Sequence, residues 1–122
     1  MFIVGVVLFN ILQDRIYPTR PVRVLVGYPP GGVNDTYARL IGRLLSERLG
    51  QPFIIENRVG AGGTIAADAV VRSAPDGYTF LLTAANDAYN PSLYPNLKYD
   101  FMRDFAPIAA SRSRLRSWRS TR

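Results

Sequence analysis

Strand and helix patterns alternate along the first two-thirds of this chain, and their order constrains the fold more than any single motif. Strand-like apolar runs occupy residues 20–28, 52–57 and 78–84, and helical patterns occupy residues 34–50 and 64–74. A strand–helix–strand–helix–strand order with short connections and right-handed crossovers builds a parallel sheet covered by helices. We therefore predict an α/β fold with a parallel βαβαβ sheet and flanking helices.

The segment 34–50 has the clearest helical pattern in the sequence. Its apolar residues recur at helical spacing and are expected to face the sheet; they are Ala38, Ile41, Leu44, Leu45 and Leu49. Asn34 or Asp35 is expected to cap the N-terminus, and Gly50 is expected to end the helix.

The chain after the second helical segment is less regular. Its third apolar run is nearly continuous, which is typical of a central parallel strand. Beyond this run we expect a loop, a short helical turn near residues 91–94 and an edge strand near residues 107–110.

The positive charge of the chain is concentrated at one end. The net charge is +6, but five of the 15 basic residues lie in positions 111–122, which contain no acid: Arg112, Arg114, Arg116, Arg119 and Arg122. Without them, 10 basic residues face 9 acidic ones, a net charge of +1. The body of the chain is therefore nearly neutral, and no nucleic acid is expected as its partner.

The chain contains no cysteine and no histidine. This composition excludes disulfides, thiol nucleophiles, imidazole bases and the commonest metal ligands. The carboxylates Glu56, Asp68 and Asp76 show no spacing that indicates acid–base catalysis. We therefore expect a binding protein rather than an enzyme, with no cofactor and no metal site.

Residues 1–16 begin the chain with an apolar run from position 2 to position 12. The run is too short to span a bilayer, which takes about 20 residues. It has the length of a signal-peptide core but lacks a basic start and a small-residue cleavage site. Two interpretations stay open: a degraded export signal, or a buried strand or irregular start.

Two glycine-rich loops follow the first and second strands, at residues 29–32 and 60–63. In open α/β sheets, ligands bind at the carboxyl ends of the strands, where such loops gather. Each loop leads into a helix N-terminus, which offers free N–H groups and a partial positive charge. One such loop alone is best interpreted as a tight turn, but two at one edge favour an anion site.

The loops lack the features of a phosphate site. Neither matches a dinucleotide or P-loop motif, and Lys98, the only lysine, is far from both in sequence. A carboxylate needs only backbone donors and hydroxyls. Thr83 and Asn86, after the third strand, could add polar contacts, and Asp35 could orient its loop, cap the helix or contact a ligand amine.

The stretch from residue 17 to about residue 110 resembles the solute receptors of the tripartite tricarboxylate transporter family, also called Bug receptors. It carries YPTRP, PPGG, LGQP, ENRVGAGG, APDGYT and RDFAPI in the family's order and spacing. The resemblance implies the first lobe of a two-lobed periplasmic-binding-protein-like fold. It also implies capture of a small carboxylate or amino-acid-like solute and delivery to a membrane permease of the transporter.

The resemblance further implies a set of solute-binding positions in three loops. The loop after the first strand would contribute Pro30, Gly31 and Gly32 with Asp35 beside them, and the loop after the second strand Ala61, Gly62 and Gly63. The loop after the third strand would contribute Thr83, Ala84 and Asn86.

The chain departs from the family pattern after its RDFAPIA motif. Family members continue with a hydrophobic strand, whereas residues 111–122 form an Arg- and Ser-rich tail that cannot be one. We hypothesise a frameshift or truncated gene, with residues 17–110 a partial ligand-binding lobe and 111–122 a disordered or out-of-frame tail. The protein would be periplasmic if exported, although its poor export signal leaves cytoplasmic retention open.

Two alternative functions follow from these departures. The chain could be a non-functional, pseudogene-like fragment. It could also bind nucleic acid through the basic tail, where Trp118 could stack on a base between arginine–phosphate contacts. A solvated, disordered tail is the better interpretation of such a charge run.

Overall fold

The computed structural model describes residues 17–108, apart from the side chain of Asn86. Three strands lie in this range: β1 (Val22–Val26), β2 (Phe53–Asn57) and β3 (Thr79–Leu82). Its α-helices are α1 (Val33–Leu49), α2 (Thr64–Val71) and the single turns α3 (Asn90–Leu93) and α4 (Phe101–Asp104). Short 3₁₀ turns occupy Ala61–Gly63 and Ala85–Tyr89.

The strands form one parallel sheet in the order β2-β1-β3. The predicted parallel βαβαβ sheet with flanking helices is therefore confirmed. The prediction of a central position for the third strand is wrong within the described residues, where β1 lies at the centre. The reason is the crossover through α2, which carries the chain from β2 past β1 to the opposite edge.

The two long helices cover opposite faces of the sheet. Gly42 of α1 packs against Ile55, which shares a face with Phe53 and Val22. The opposite face carries Leu25, next to α2. Val22 and Leu25 are both almost fully buried, so the central strand contributes to the core on both sides.

Only part of the predicted apolar face of α1 is buried. Its buried residues are Asp35, Ala38 and Gly42, whereas Leu44 is 47% exposed and Leu49 is 42% exposed. Of the predicted face, Ala38 is buried and Ile41 and Leu45 are half-buried. Small residues let the helix lie close to the sheet, and this contact turns the larger side chains outward.

The ends of α1 correct one predicted cap and confirm another. The N-cap is Gly32, in an extended conformation without a side-chain hydrogen bond, so the predicted caps at Asn34 and Asp35 are wrong. Asp35 instead lies in the first turn. At the other end, Gly50 adopts φ +77° and its N–H donates to the Ser46 carbonyl at 3.0 Å, as a left-handed glycine terminator does.

The chain after β3 contains the predicted helical turn, which forms α3. It also contains an aromatic cluster in which Phe101 and Phe105 stack at 4.9 Å and Tyr99 contacts both edge-on. The first half of the predicted edge strand is not a strand, because residues 107 and 108 are irregular. Residues 1–16, 109–110 and the basic tail lie outside the described residues.

Within residues 17–108, no helix combines the length and the apolar character that crossing a membrane requires.

Candidate functional site

The loops after β1 and β2 meet at the carboxyl edge of the sheet. A Cβ atom on Gly27 would lie 2.6 Å from the Gly63 Cα and 3.2 Å from its carbonyl oxygen. Only a residue without a side chain fits at such a backbone contact. The two glycine-rich loops therefore lie together, as the sequence predicts.

The first loop is held by a carboxylate of its own chain. Gly31 has φ +84°, and its N–H donates to Asp35 Oδ2 at 2.9 Å. Arg39 Nε donates to the same oxygen at 2.9 Å, and Asn57 Nδ2 donates to Oδ1 at 2.9 Å. Asp35 is only 3% exposed, so this carboxylate orients the loop from inside the protein.

These hydrogen bonds also set the ionisation of Asp35. The hydrogen bond from Arg39, followed by those from Gly31 and Asn57, lowers the pKa of the carboxyl group from 3.8 to about 2. The group is therefore charged at neutral pH, at the positive end of the α1 dipole.

The second loop is a left-handed turn. Gly60, Ala61, Gly62 and Gly63 have φ values of +139°, +47°, +62° and +90°. Ala61 is the only residue besides glycine with positive φ in the part of the chain that the structure describes. The Gly63 N–H donates to the Gly60 carbonyl at 3.1 Å. The N–H groups of Ala61 and Gly62 have no acceptor among residues 17–108, and both residues are exposed.

A buried acid connects both loops to the segment after β3. Asp87 is 6% exposed; its Oδ1 accepts from the Tyr28 hydroxyl at 2.8 Å and its Oδ2 from the Ala84 N–H at 2.7 Å. Asn90 donates to Asp87 Oδ1 at 3.4 Å and to the Gly62 carbonyl at 3.0 Å. One cluster thus links the three loops.

The predicted solute-binding positions differ in the backbone donors that they can offer. Pro30 has no N–H, and the N–H groups of Gly31 and Ala84 already donate to Asp35 and Asp87. The Gly32 N–H donates to the Pro29 carbonyl at 3.3 Å. Of the two glycine-rich loops, the second therefore offers open donors, on Ala61 and Gly62.

The structure brings the predicted positions of the second and third loops together most directly. Gly62, Gly63 and Ala84 all contact Asp87 or its partner Asn90. Thr83 is exposed beside them, and the side chain of Asn86 is not described.

Sequence reasoning missed the side chains that organise these loops. They are Tyr28, Arg39, Asn57, Asp87 and Asn90. For Asp87 a signal existed, because the predicted third segment ended at Asn86, one residue before it. The others are recognisable only from contacts between distant parts of the chain.

In the described range, no cluster of three or more acidic, histidine or cysteine side chains could hold a metal ion. The arrangement at the sheet edge consists of backbone donors and a fixed acid. The backbone donors can bind an anion through hydrogen bonds, whereas the carboxylate only accepts hydrogen bonds and holds the loops.

Comparison with known proteins identifies the family of the chain. The profile of the family described as "Tripartite tricarboxylate transporter family receptor" matches residues 37–114. The chain belongs to this family. The resemblance found in the sequence is thereby confirmed, and family members are periplasmic solute receptors.

This chain resembles only part of the length of individual receptors of the family. Protein BugT of Bordetella pertussis is 44% identical over 95 residues, which are 76% of this chain and 29% of BugT. The structure of the periplasmic binding protein BugD has 43% identity and a TM-score of 0.66, over 69% of this chain and 28% of BugD.

MatC from Rhodopseudomonas palustris, solved with bound malate, has 44% identity and a TM-score of 0.65, over 75% of this chain and 31% of MatC. The chain thus spans less than a third of the length of each of these receptors. The likeness of the fold to periplasmic binding proteins is confirmed for that share.

Proposed function

We propose that this chain forms part of a solute receptor that binds a small carboxylate at the carboxyl edge of its sheet. The observation that carries the proposal is the pair of open N–H groups on Ala61 and Gly62, in a left-handed turn that enters α2. Successive backbone N–H groups in a turn can form an anion-binding concavity. The malate bound to MatC, a relative by sequence and fold, supports a carboxylate as the solute.

The three loops have different roles in this proposal. The second loop donates to the solute carboxylate, and Thr83 adds a hydroxyl from the third. The first loop forms a wall whose shape is fixed by the Asp35 carboxylate. Because both oxygens of Asp35 already accept hydrogen bonds, its role is to orient Gly31 rather than to bind a solute amine.

The role of the whole receptor follows from the family. The solute would be captured outside the cytoplasm and passed to a membrane permease of the tripartite tricarboxylate transporter. The profile match over residues 37–114 supports this assignment.

A solution titration tests the binding site directly. The ¹⁵N-labelled full chain is titrated with malate and, separately, with its neutral diamide, while amide shifts are recorded. We expect saturable shifts at Ala61 and Gly62 with malate only. Binding should be weak, because a single exposed wall leaves a solute largely solvated. Equal shifts with the diamide, or no shift at these amides, would overturn the proposal.

A further inference from the structure

Asp87 is buried without a cationic partner among the described residues. Its closest polar neighbours are all neutral donors, from Tyr28, Ala84 and Asn90. Asp35, the other buried acid, is paired with Arg39. Since a buried charge is costly unless it is hydrogen-bonded, the burial of Asp87 requires these donors to stay in place.

The donors come from segments that are distant in sequence. Tyr28 belongs to the loop after β1 and lies 59 positions from Asp87. Ala84 is the second residue after β3. Asn90 extends the connection to the Gly62 carbonyl in the loop after β2, 28 positions away. Moving any one loop breaks a hydrogen bond to a charged or buried group.

The same carboxylate also limits the position of the second loop by contact. A Cβ atom on Gly63 would lie 2.8 Å from Asp87 Oδ1, so the loop packs directly against the acid. A Cβ atom on Gly62 would lie 3.3 Å from Asn90 Oδ1 and 3.3 Å from the Tyr94 hydroxyl. The open donors of Ala61 and Gly62 thus lie on a turn whose inner side is fixed by this cluster.

We propose that Asp87 is a positioning residue that fixes the three loops in the geometry that binds the solute. This inference rests on the proposed carboxylate-binding function. Asp87 does not touch the solute in this scheme; it acts through Tyr28, Ala84 and Asn90.

The direction in which Asp87→Asn changes malate affinity distinguishes a positioning role from a purely electrostatic one. Removing a negative charge close to an anion site raises anion affinity by electrostatics alone. If Asp87 acts by positioning, its neutral variant Asp87→Asn has lower affinity instead, because an amide cannot accept from all three donors. Loss of one hydrogen bond to a charged group corresponds to about a tenfold effect.

The experiment compares the full-length wild type with Asp87→Asn and with Asp68→Asn. Asp68→Asn removes the same charge from α2, where Asp68 forms an ion pair with Arg72 on the same helix. Malate affinity is measured by amide shifts, and the exchange rate of the Ala84 amide is measured without solute. Asp87→Asn should weaken malate binding about tenfold and speed Ala84 exchange about tenfold. Asp68→Asn should change either by less than about twofold.

The solute-free measurement separates this inference from the proposed function. If wild type does not bind malate, the proposed function fails, whereas unchanged exchange at Ala84 in Asp87→Asn overturns the positioning role. Malate affinity that is unchanged or higher in Asp87→Asn also overturns it. Should Asp87→Asn fail to fold, Tyr28→Phe removes a single hydroxyl from the cluster. It is judged by malate affinity and by the Gly62 and Gly63 amide shifts without solute. We expect weaker binding and altered shifts, and wild-type values of both would overturn the positioning role.

Discussion

Gly27 and Gly63 lie so close that a methyl group on Gly27 would stand 2.6 Å from the Gly63 Cα. The contact joins two backbones, and neither can move aside as a flexible side chain could. This contact sets the distance between the loops after β1 and β2 at the sheet edge.

Gly27→Ala should destabilise the protein by separating the two loops. Gly27 does not have positive φ, so alanine meets no backbone strain there and the cost is steric. Forcing one extra methyl group into a packed site costs about 1–3 kcal/mol. Urea unfolding measures the loss, and the Gly63 amide shift reports the displacement. A variant with wild-type stability and an unmoved Gly63 amide would show that the contact is not tight.

Gly63→Ala should cost more than Gly50→Ala, its matched control. Both glycines have positive φ, +90° and +77°, so alanine suffers a similar backbone penalty of about 1–2 kcal/mol. Nothing lies within 4 Å of a Cβ on Gly50, whereas on Gly63 it meets Asp87 Oδ1 at 2.8 Å. We expect urea unfolding to show an additional loss of about 1 kcal/mol or more for Gly63→Ala. Equal losses would argue against the Asp87 contact.

Ala61→Gly should be neutral or stabilising, although it replaces alanine with glycine. Ala61 has φ +47°, where alanine is strained by about 1–2 kcal/mol. Glycine removes the strain but adds about 0.4–1 kcal/mol of unfolded-state entropy. Ala69→Gly, inside α2, provides the contrast, since it should cost about 1 kcal/mol. Thermal or urea unfolding should show that Ala69→Gly loses clearly more unfolding free energy than Ala61→Gly. Losses of the same size in the two variants would contradict the left-handed turn at Ala61.

Asp35 should titrate with a midpoint of about 2, below its ordinary 3.8. Because the folded-state pKa is depressed, the stabilisation is complete above the unfolded pKa and is lost as the pH falls through about 2. The Gly31 amide donates to this carboxylate, so its ¹⁵N shift should follow the same midpoint. In Asp35→Asn that titration should vanish, whereas Asp104→Asn, which removes another low-pKa acid, should leave it intact. A Gly31 midpoint near 4 would contradict the hydrogen-bond pattern.

The sequence predicted the elements better than their contacts. Local signals such as the glycine after residue 49 and the apolar run at 22–26 locate strand and helix ends, because those signals act on the backbone where they occur. For the buried face of α1, the prediction was right for Ala38 and wrong for Leu44 and Leu49. Helical spacing shows that Leu44 and Gly42 lie on different sides of the helix. Which of these sides is buried depends on how closely the helix approaches Ile55.

The contrast between local signals and long-range contacts also explains which parts of the site could be predicted. Glycines 31, 62 and 63 mark the loops because their backbone conformations require glycine. Asp87 and Asn90 were not predicted, since their partners lie 59 and 28 positions away and no local spacing encodes such pairs. The predicted solute-binding positions themselves remain predictions for the titration to test.

In the proposed receptor, the carboxylate of Asp35 would influence which solutes bind. It occupies the first turn of α1 and accepts the Gly31 N–H, as a bound anion would. The Asp35 carboxylate thereby takes the place of a bound anion at that helix end. Because it is covalently attached, its local concentration is very high, and a free anion would have to compete with it for the Gly31 N–H. We expect discrimination among solutes to depend on the other glycine-rich turn, where nothing in the described chain competes.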